Sequence, residues 1–219
     1  MNQPADKPLV IIVQGSPRSD GNSALLALDA FDACEKAGVD ALIVSACALM
    51  EQATACNGCM TCVATGHCAH DDEVSIFIEM LDQASGLLWI SPVYFSSIPG
   101  GFKQLIDRLQ VFWARRERGE VLTSHQRRPA CALVVGSGAD PFGVKAVTLP
   151  LTSASNVAEF TLKEPTVLLG LEDTDALQQV ENAAKRAHAG ETIASLIENV
   201  RQWEEGERQA DEEFEVLPA

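Results

Sequence analysis

The chain has 219 residues, 47% of them apolar and 21% charged, which is ordinary globular usage and enough for one α/β domain with a sizeable core. A formal charge of −15, from 31 acidic and 16 basic residues, repels phosphate backbones and argues against nucleic-acid binding. No apolar run approaches the roughly 20 residues that span a bilayer, and the polar start from Met1 to Lys7 lacks a secretory apolar stretch, so a cytoplasmic protein with no membrane partner is expected.

Leu9 to Val13 (LVIIV) is a continuous apolar, β-branched run, as in a strand buried on both faces. It runs into Gly15-Ser16-Pro17-Arg18-Ser19-Asp20-Gly21, which breaks regular structure. A helix is predicted from Asn22 or Ser23, either of which can cap it, to Gly38. Ala41 to Val44 is a second strand. A cysteine-rich loop, Cys56 to Cys68, then interrupts the alternation before a helix over about 72–84. Leu87 to Ile90 is the third strand. The loop from Ser91 to Gly101 and a helix over about 102–116 follow it. Ala130 to Val135 is the fourth strand, leading into Gly136-Ser137-Gly138, and a helix over about 144–157 that Pro150 is expected to kink or divide. Thr166 to Leu169 is a fifth strand candidate. From about 175 the pattern predicts one or two amphipathic helices broken near Gly190, with a solvated, frayed acidic end around Glu204, Glu205, Glu207, Asp211, Glu212 and Glu213.

Five short apolar strands with helical crossovers predict a flavodoxin-like, doubly wound α/β fold: a five-stranded parallel sheet with helices on both faces. No repeat, low-complexity segment or linker divides the chain, so one domain over 1–219 is expected.

The first turn carries the chemistry. Ligands on open α/β sheets bind beyond the carboxyl ends of the strands, and a helix N-terminus offers unpaired N–H groups and partial positive charge to a phosphate. Ser16, Asn22 and Ser23 add side-chain donors and Arg18 a positive charge, while the glycine patterns of dinucleotide and triphosphate loops are missing. Gly-Ser-Pro-Arg-x-x-Gly-Asn-Ser resembles the phosphate loop of the NADPH-dependent FMN reductase family. Ser91-Pro92-Val93-Tyr94-Phe95-Ser96, with Lys103 and Ile106-Asp107-Arg108, resembles that family's second signature. The resemblance covers about Leu9 to Leu109 and implies FMN as cofactor, with Pro92, Val93, Tyr94, Phe95 and Ser96 lining it and Gly136, Ser137 and Gly138 approaching it. It also implies NAD(P)H as a possible electron donor and a homodimer or homotetramer. Lys103, Asp107 and Arg108 read as scaffold, the first two at helix-pairing distance. Arg115, Arg116 and Arg118 read as a solvated basic patch, with a pyridine-nucleotide phosphate as the alternative.

Seven cysteines, an odd number in a chain with no apparent export signal, argue against a disulfide framework. Cys34, Cys47 and Cys131 sit in apolar segments and read as small core residues. Cys56, Cys59, Cys62 and Cys68 give C-x2-C-x2-C-x5-C, a spacing that favours an iron–sulfur group over structural zinc, with free thiols as the alternative. The segment resembles the iron–sulfur flavoproteins of the same superfamily, which implies a [4Fe-4S] cluster beside the flavin. Asp71, Asp72 and Glu73 read as the first turn of the next helix, and His67 and His70 as bystanders to four thiolates. The function expected is FMN-dependent electron transfer between a small-molecule or protein donor and acceptor, with no catalytic side chain required. The alternatives are an NAD(P)H-dependent FMN or quinone reductase without a cluster, and a non-enzymatic metal-binding or thiol-sensing module.

Overall fold

The computed structural model describes residues 7–120 and 126–215, of which 211–215 are described in backbone only. The polar stretch at positions 1–6 lies outside the described residues. The chain runs β1 (Leu9–Gln14), α1 (Asn22–Ala37), β2 (Asp40–Ser45), α2 (Ala46–Glu51), α3 (Thr61–Thr65), α4 (Glu73–Gln83), β3 (Gly86–Pro92), α5 (Gly100–Arg108), α6 (Gln110–Glu117), β4 (Arg128–Val135), α7 (Gly143–Val157), β5 (Phe160–Leu162), β6 (Thr166–Leu168) and α8 (Ala183–Glu215). All strand pairs are parallel, in the order β2-β1-β3-β4-β5, as in flavodoxin-like folds. The fifth position is filled twice: β5 pairs with Arg128 to Ala130 of β4, and β6 with Leu133 to Val135.

The apolar runs are continuous because both faces are covered. Successive residues alternate between two cores. Ile11, Val13, Leu87, Trp89, Ala132 and Val134 face α2 and α4 to α7. Val10, Ile12, Leu88, Ile90, Leu133 and Val135 face α1 and α8. Burying each large aliphatic side chain contributes about 1.5–3 kcal/mol, which fixes the register of the inner strands.

Several boundaries differ from the sequence expectation, each for a packing reason. Gly21 rather than Asn22 or Ser23 is the cap of α1, and α1 ends at Gly38 in the left-handed region as expected. The helix expected over 102–116 is two helices meeting at Leu109. Pro150 lies within a single helix and does not divide it. Gly190 does not break α8, because Ala189, Ile193, Leu196, Ile197 and Val200 around it are buried against the sheet, and that burial outweighs the ~1 kcal/mol helix penalty of glycine. The same helix carries Glu204 and Glu205 and runs on to Glu215, so the acidic end is helical rather than frayed through that point. Among the described residues no helix is long and apolar enough to cross a membrane.

Arg128, at the start of β4, is buried and makes its side-chain hydrogen bonds to backbone carbonyls. It donates to the carbonyls of Leu81, Asp82, Ala84 and Ala158, which end α4 and α7, and its guanidinium lies 4.0 Å from the Phe160 ring centre. Burial lowers its pKa to about 10. It is a structural tie across the sheet's far end.

Candidate functional site

β1 lies between β2 and β3, so the crossovers leaving it and arriving beside it diverge. A crevice opens at this switch point at the carboxyl ends of the strands. Three turns wall a cleft of about 200 Å³ there. From the turn after β1 come Ser16, Arg18, Gly21, Asn22 and Ser23; from the turn after β3, Pro92, Val93 and Tyr94; from the turn after β4, Gly136 and Ser137. Three separate stretches of sequence expectation thus meet in one place.

The phosphate loop is held from beneath. Gly15 N donates to Ile90 O at 2.8 Å, drawing the loop onto the neighbouring strand. A Cβ at Gly15 would stand 2.1 Å from the buried Phe102 ring, so this position requires glycine. Ser16 is buried and its Oγ accepts from Arg18 N at 3.1 Å, while Gln14 Nε2 donates to Arg18 O at 3.1 Å. No side chain caps α1, which leaves the N–H groups of its first turn directed at the cleft. The Arg18 side chain is exposed beside them and makes no ion pair among the described residues.

The Asn22 side chain is engaged within the protein. Its Nδ2 donates to Asp173 O at 2.7 Å and its Oδ1 accepts from Leu177 N at 2.9 Å. These bonds fasten a fourth wall, Leu171 to Thr174, to the start of α1. That wall carried no recognisable signal in the sequence, since it is a connection placed only by packing and by Asn22.

In the turn after β3, Tyr94 lines the cleft and is 39% exposed, whereas Phe95 is fully exposed on a left-handed backbone and does not line it. Ser96 Oγ donates to Asp140 Oδ2, tying this turn to the one after β4. That bond, with the N–H of Phe142, holds the Asp140 carboxyl below its usual range. Gly138 adopts φ 89° and turns the chain without lining the cleft. The residues fit a flavin mononucleotide: an open helix N-terminus with a cation for the phosphate, and backbone turns with Tyr94 for the ring.

The second centre is the cysteine loop. Cys56, Cys59, Cys62 and Cys68 line one small pocket of about 30 Å³, closed by His70, Arg108, Gln110 and Val111. Among the described residues the thiols are not drawn onto a single point as a ready metal site. They are nevertheless within electrostatic reach of one another: burial raises the Cys62 pKa, and the charges of Cys68, Cys56 and Cys59 raise it further. Cys59 moves the other way, because Thr61 bonds its sulfur, with Sγ and Oγ1 3.4 Å apart. Of the remaining cysteines, Cys34 and Cys131 are buried as expected, and Cys47 is half-buried with its Sγ donating to Gly15 O at 3.4 Å.

Arginines hold this loop. Arg108 is buried and forks onto Asp72, with Nη1 to Oδ2 at 2.8 Å and Nη2 to Oδ1 at 2.9 Å; Nη1 also donates to Thr54 O. Asp72 caps α4 by accepting from Val74 N, and the bonds from Arg108 lower its pKa to about 2. Arg115 donates to Gly66 O and pairs with Asp82, while Arg118 donates to Ala64 O and pairs with Glu120. Of the patch expected to be solvated, Arg115 and Arg118 therefore bind the carbonyls that end α3, while Arg116 is exposed. Lys103 and Asp107 make their helix pair at 2.5 Å.

A family model described as NADPH-dependent FMN reductase matches residues 8–156. An iron–sulfur flavoprotein of Methanocaldococcus jannaschii is 33% identical over 99 residues, 45% of this chain and 50% of that protein. One from Archaeoglobus fulgidus is 28% identical over 99 residues, covering 44% and 43%. The chain thus spans about half the length of the curated relatives it matches. Among solved structures, the flavoenzyme NAD(P)H:(acceptor) oxidoreductase FerB from Paracoccus denitrificans superposes with a TM-score of 0.57 at 15% identity, over 90% of this chain and 98% of that one, a likeness of fold.

Proposed function

This chain belongs to the NADPH-dependent FMN reductase family, and on that premise we propose that it is an FMN-dependent electron-transfer oxidoreductase whose cysteine loop holds a [4Fe-4S] cluster near the flavin. The observation that carries the flavin reading is the meeting of three turns around an uncapped helix N-terminus at the switch point of the sheet. FMN when bound accepts hydride or single electrons, so it joins a two-electron donor such as NAD(P)H to a one-electron carrier. The first turn of α1, Ser16, Ser23 and Arg18 bind the phosphate. Pro92 to Tyr94 and Gly136 to Ser137 position the ring, with backbone N–H groups favouring negative charge at its polar edge. The Ser96–Asp140 bond keeps the two ring-side turns together.

The cluster reading is supported by four thiols on one pocket, by their spacing, and by the names of the curated relatives. The cysteine loop supplies the thiolates, and Arg108, Arg115 and Arg118 keep it docked on α5 and α6. A homodimer or homotetramer agrees with Phe95, an aromatic ring standing fully exposed beside the cleft. A second reading is a reductase in which the four cysteines of the loop stay free thiols.

Anaerobic purification followed by FMN, iron and sulfide assays tests both parts. Saturable uptake of one FMN per chain with about four irons is the expected result. A yellow protein without iron leaves the simpler reductase. A protein that takes up no FMN at all sinks the proposal.

A further inference from the structure

Two buried polar atoms in the cysteine pocket have no partner. Arg108 has five N–H groups. Four are engaged by Thr54 O, His70 O and the two oxygens of Asp72, at 2.6 to 3.4 Å, and the Nε group is buried and unpaired. His70 Nε2 is likewise buried and unpaired. Both residues line the pocket with the four cysteines. Leaving a buried polar group unpaired is costly, and more so for a charged one. Here two such costs face one small space. Arg128 is also buried with an unpaired Nε, but it lies outside this pocket, against helix ends and a phenyl ring.

We propose that Arg108 and His70 are positioning residues for the iron–sulfur group, donating Nε–H and Nε2–H to its sulfurs and so tightening its retention and raising its reduction potential. This rests on the cluster reading above. The physical argument is direct. A centre built on four thiolates carries a large negative charge, which increases on reduction, and N–H groups and a fixed cation stabilise the reduced form more than the oxidised one. Asp72 makes the arrangement rigid: its bidentate bond fixes the guanidinium plane, leaving the remaining N–H with one direction. His70 fits the role because its backbone carbonyl is held by Arg108 Nη2 and by the Ser75 hydroxyl, so the ring approaches the pocket from a fixed backbone.

The test uses full-length protein reconstituted anaerobically with FMN, ferrous iron and sulfide. Arg108→Lys keeps the charge and removes the Nε donor, and His70→Phe removes the other donor while leaving the Asp72 pair intact. The readouts are iron retention against a chelator and the midpoint potential of the iron–sulfur signal followed by electron paramagnetic resonance, with the flavin potential read separately by absorbance. Each variant is expected to retain iron roughly 10-fold or more weakly, as for other residues that support metal ligands, and to shift the iron–sulfur potential downward with the flavin potential in place. Should Arg108→Lys fail to fold, judged by loss of FMN uptake, His70→Phe carries the test alone. Wild-type retention and potential in the folded variants overturn the inference and leave the cluster reading standing. Wild-type protein that takes up no iron overturns both.

Discussion

The cleft at the carboxyl edge of the sheet and the cysteine pocket differ in what holds them. The cleft is walled by turns that β1, β3 and β4 aim, and those strands are among the most buried residues of the molecule. The cysteine pocket lies in a stretch without strands, between α2 and α4, and depends on side-chain bonds from three arginines. A site made by a sheet edge inherits the stability of the core. A site made by a loop stands or falls with a few charged contacts, and substitutions should separate the two.

The largest effect is expected at Asp72. Replacing it by alanine leaves Arg108 as an uncompensated buried charge, which costs about 3–5 kcal/mol. Urea unfolding should show that loss, together with weaker iron retention, while FMN affinity in the folded fraction stays within about twofold of wild type. An equal loss of FMN affinity would mean that the two regions are one cooperative unit. Gly15→Ala makes the reverse test. Its Cβ meets the Phe102 ring, so about 1–3 kcal/mol of overpacking strain should appear as a lower melting temperature and weaker FMN binding, with iron uptake preserved.

Asn22→Ala should act on the cleft alone. It removes the bonds to Asp173 and Leu177, and leaves Leu177 N unpaired at a cost of about 1–3 kcal/mol. Faster amide exchange around 171–177 is the expected signature. Acid offers a way to weaken the cysteine side without mutation. The Asp72 pKa lies below its ordinary value in the folded protein, so its contribution is fully present above about pH 4 and is lost as pH falls toward about 2. Wild type should lose more stability over that window than Asp72→Asn, and parallel curves would refute the assignment. The smallest effect belongs to Ser96→Ala, which frees two exposed turns from each other and should lower stability by no more than about 1 kcal/mol, with a modest fall in FMN affinity measured by fluorescence quenching.

Much of this arrangement was legible in the sequence because it is local. Continuous β-branched runs mark strands buried on both faces, and the turn after each must lie at one edge of a parallel sheet, so the sequence alone points to Ser16, Ser23, Pro92 to Tyr94 and Gly136 to Ser137 as neighbours at that edge. The cysteine spacing is local too. Helix ends are less legible where packing outweighs propensity, as at Gly190 and Pro150.

What only the tertiary structure decided are the partners chosen across long separations. Asn22 reads as a phosphate donor until Asp173 and Leu177 arrive beside it, and Arg108 reads as a helix residue until Asp72 and the cysteine loop fold over it. The sequence by itself determines periodicity and turn chemistry, because these depend on neighbours a few residues apart. Which buried donor meets which acceptor depends on how whole helices pack, and one-dimensional order carries no record of that.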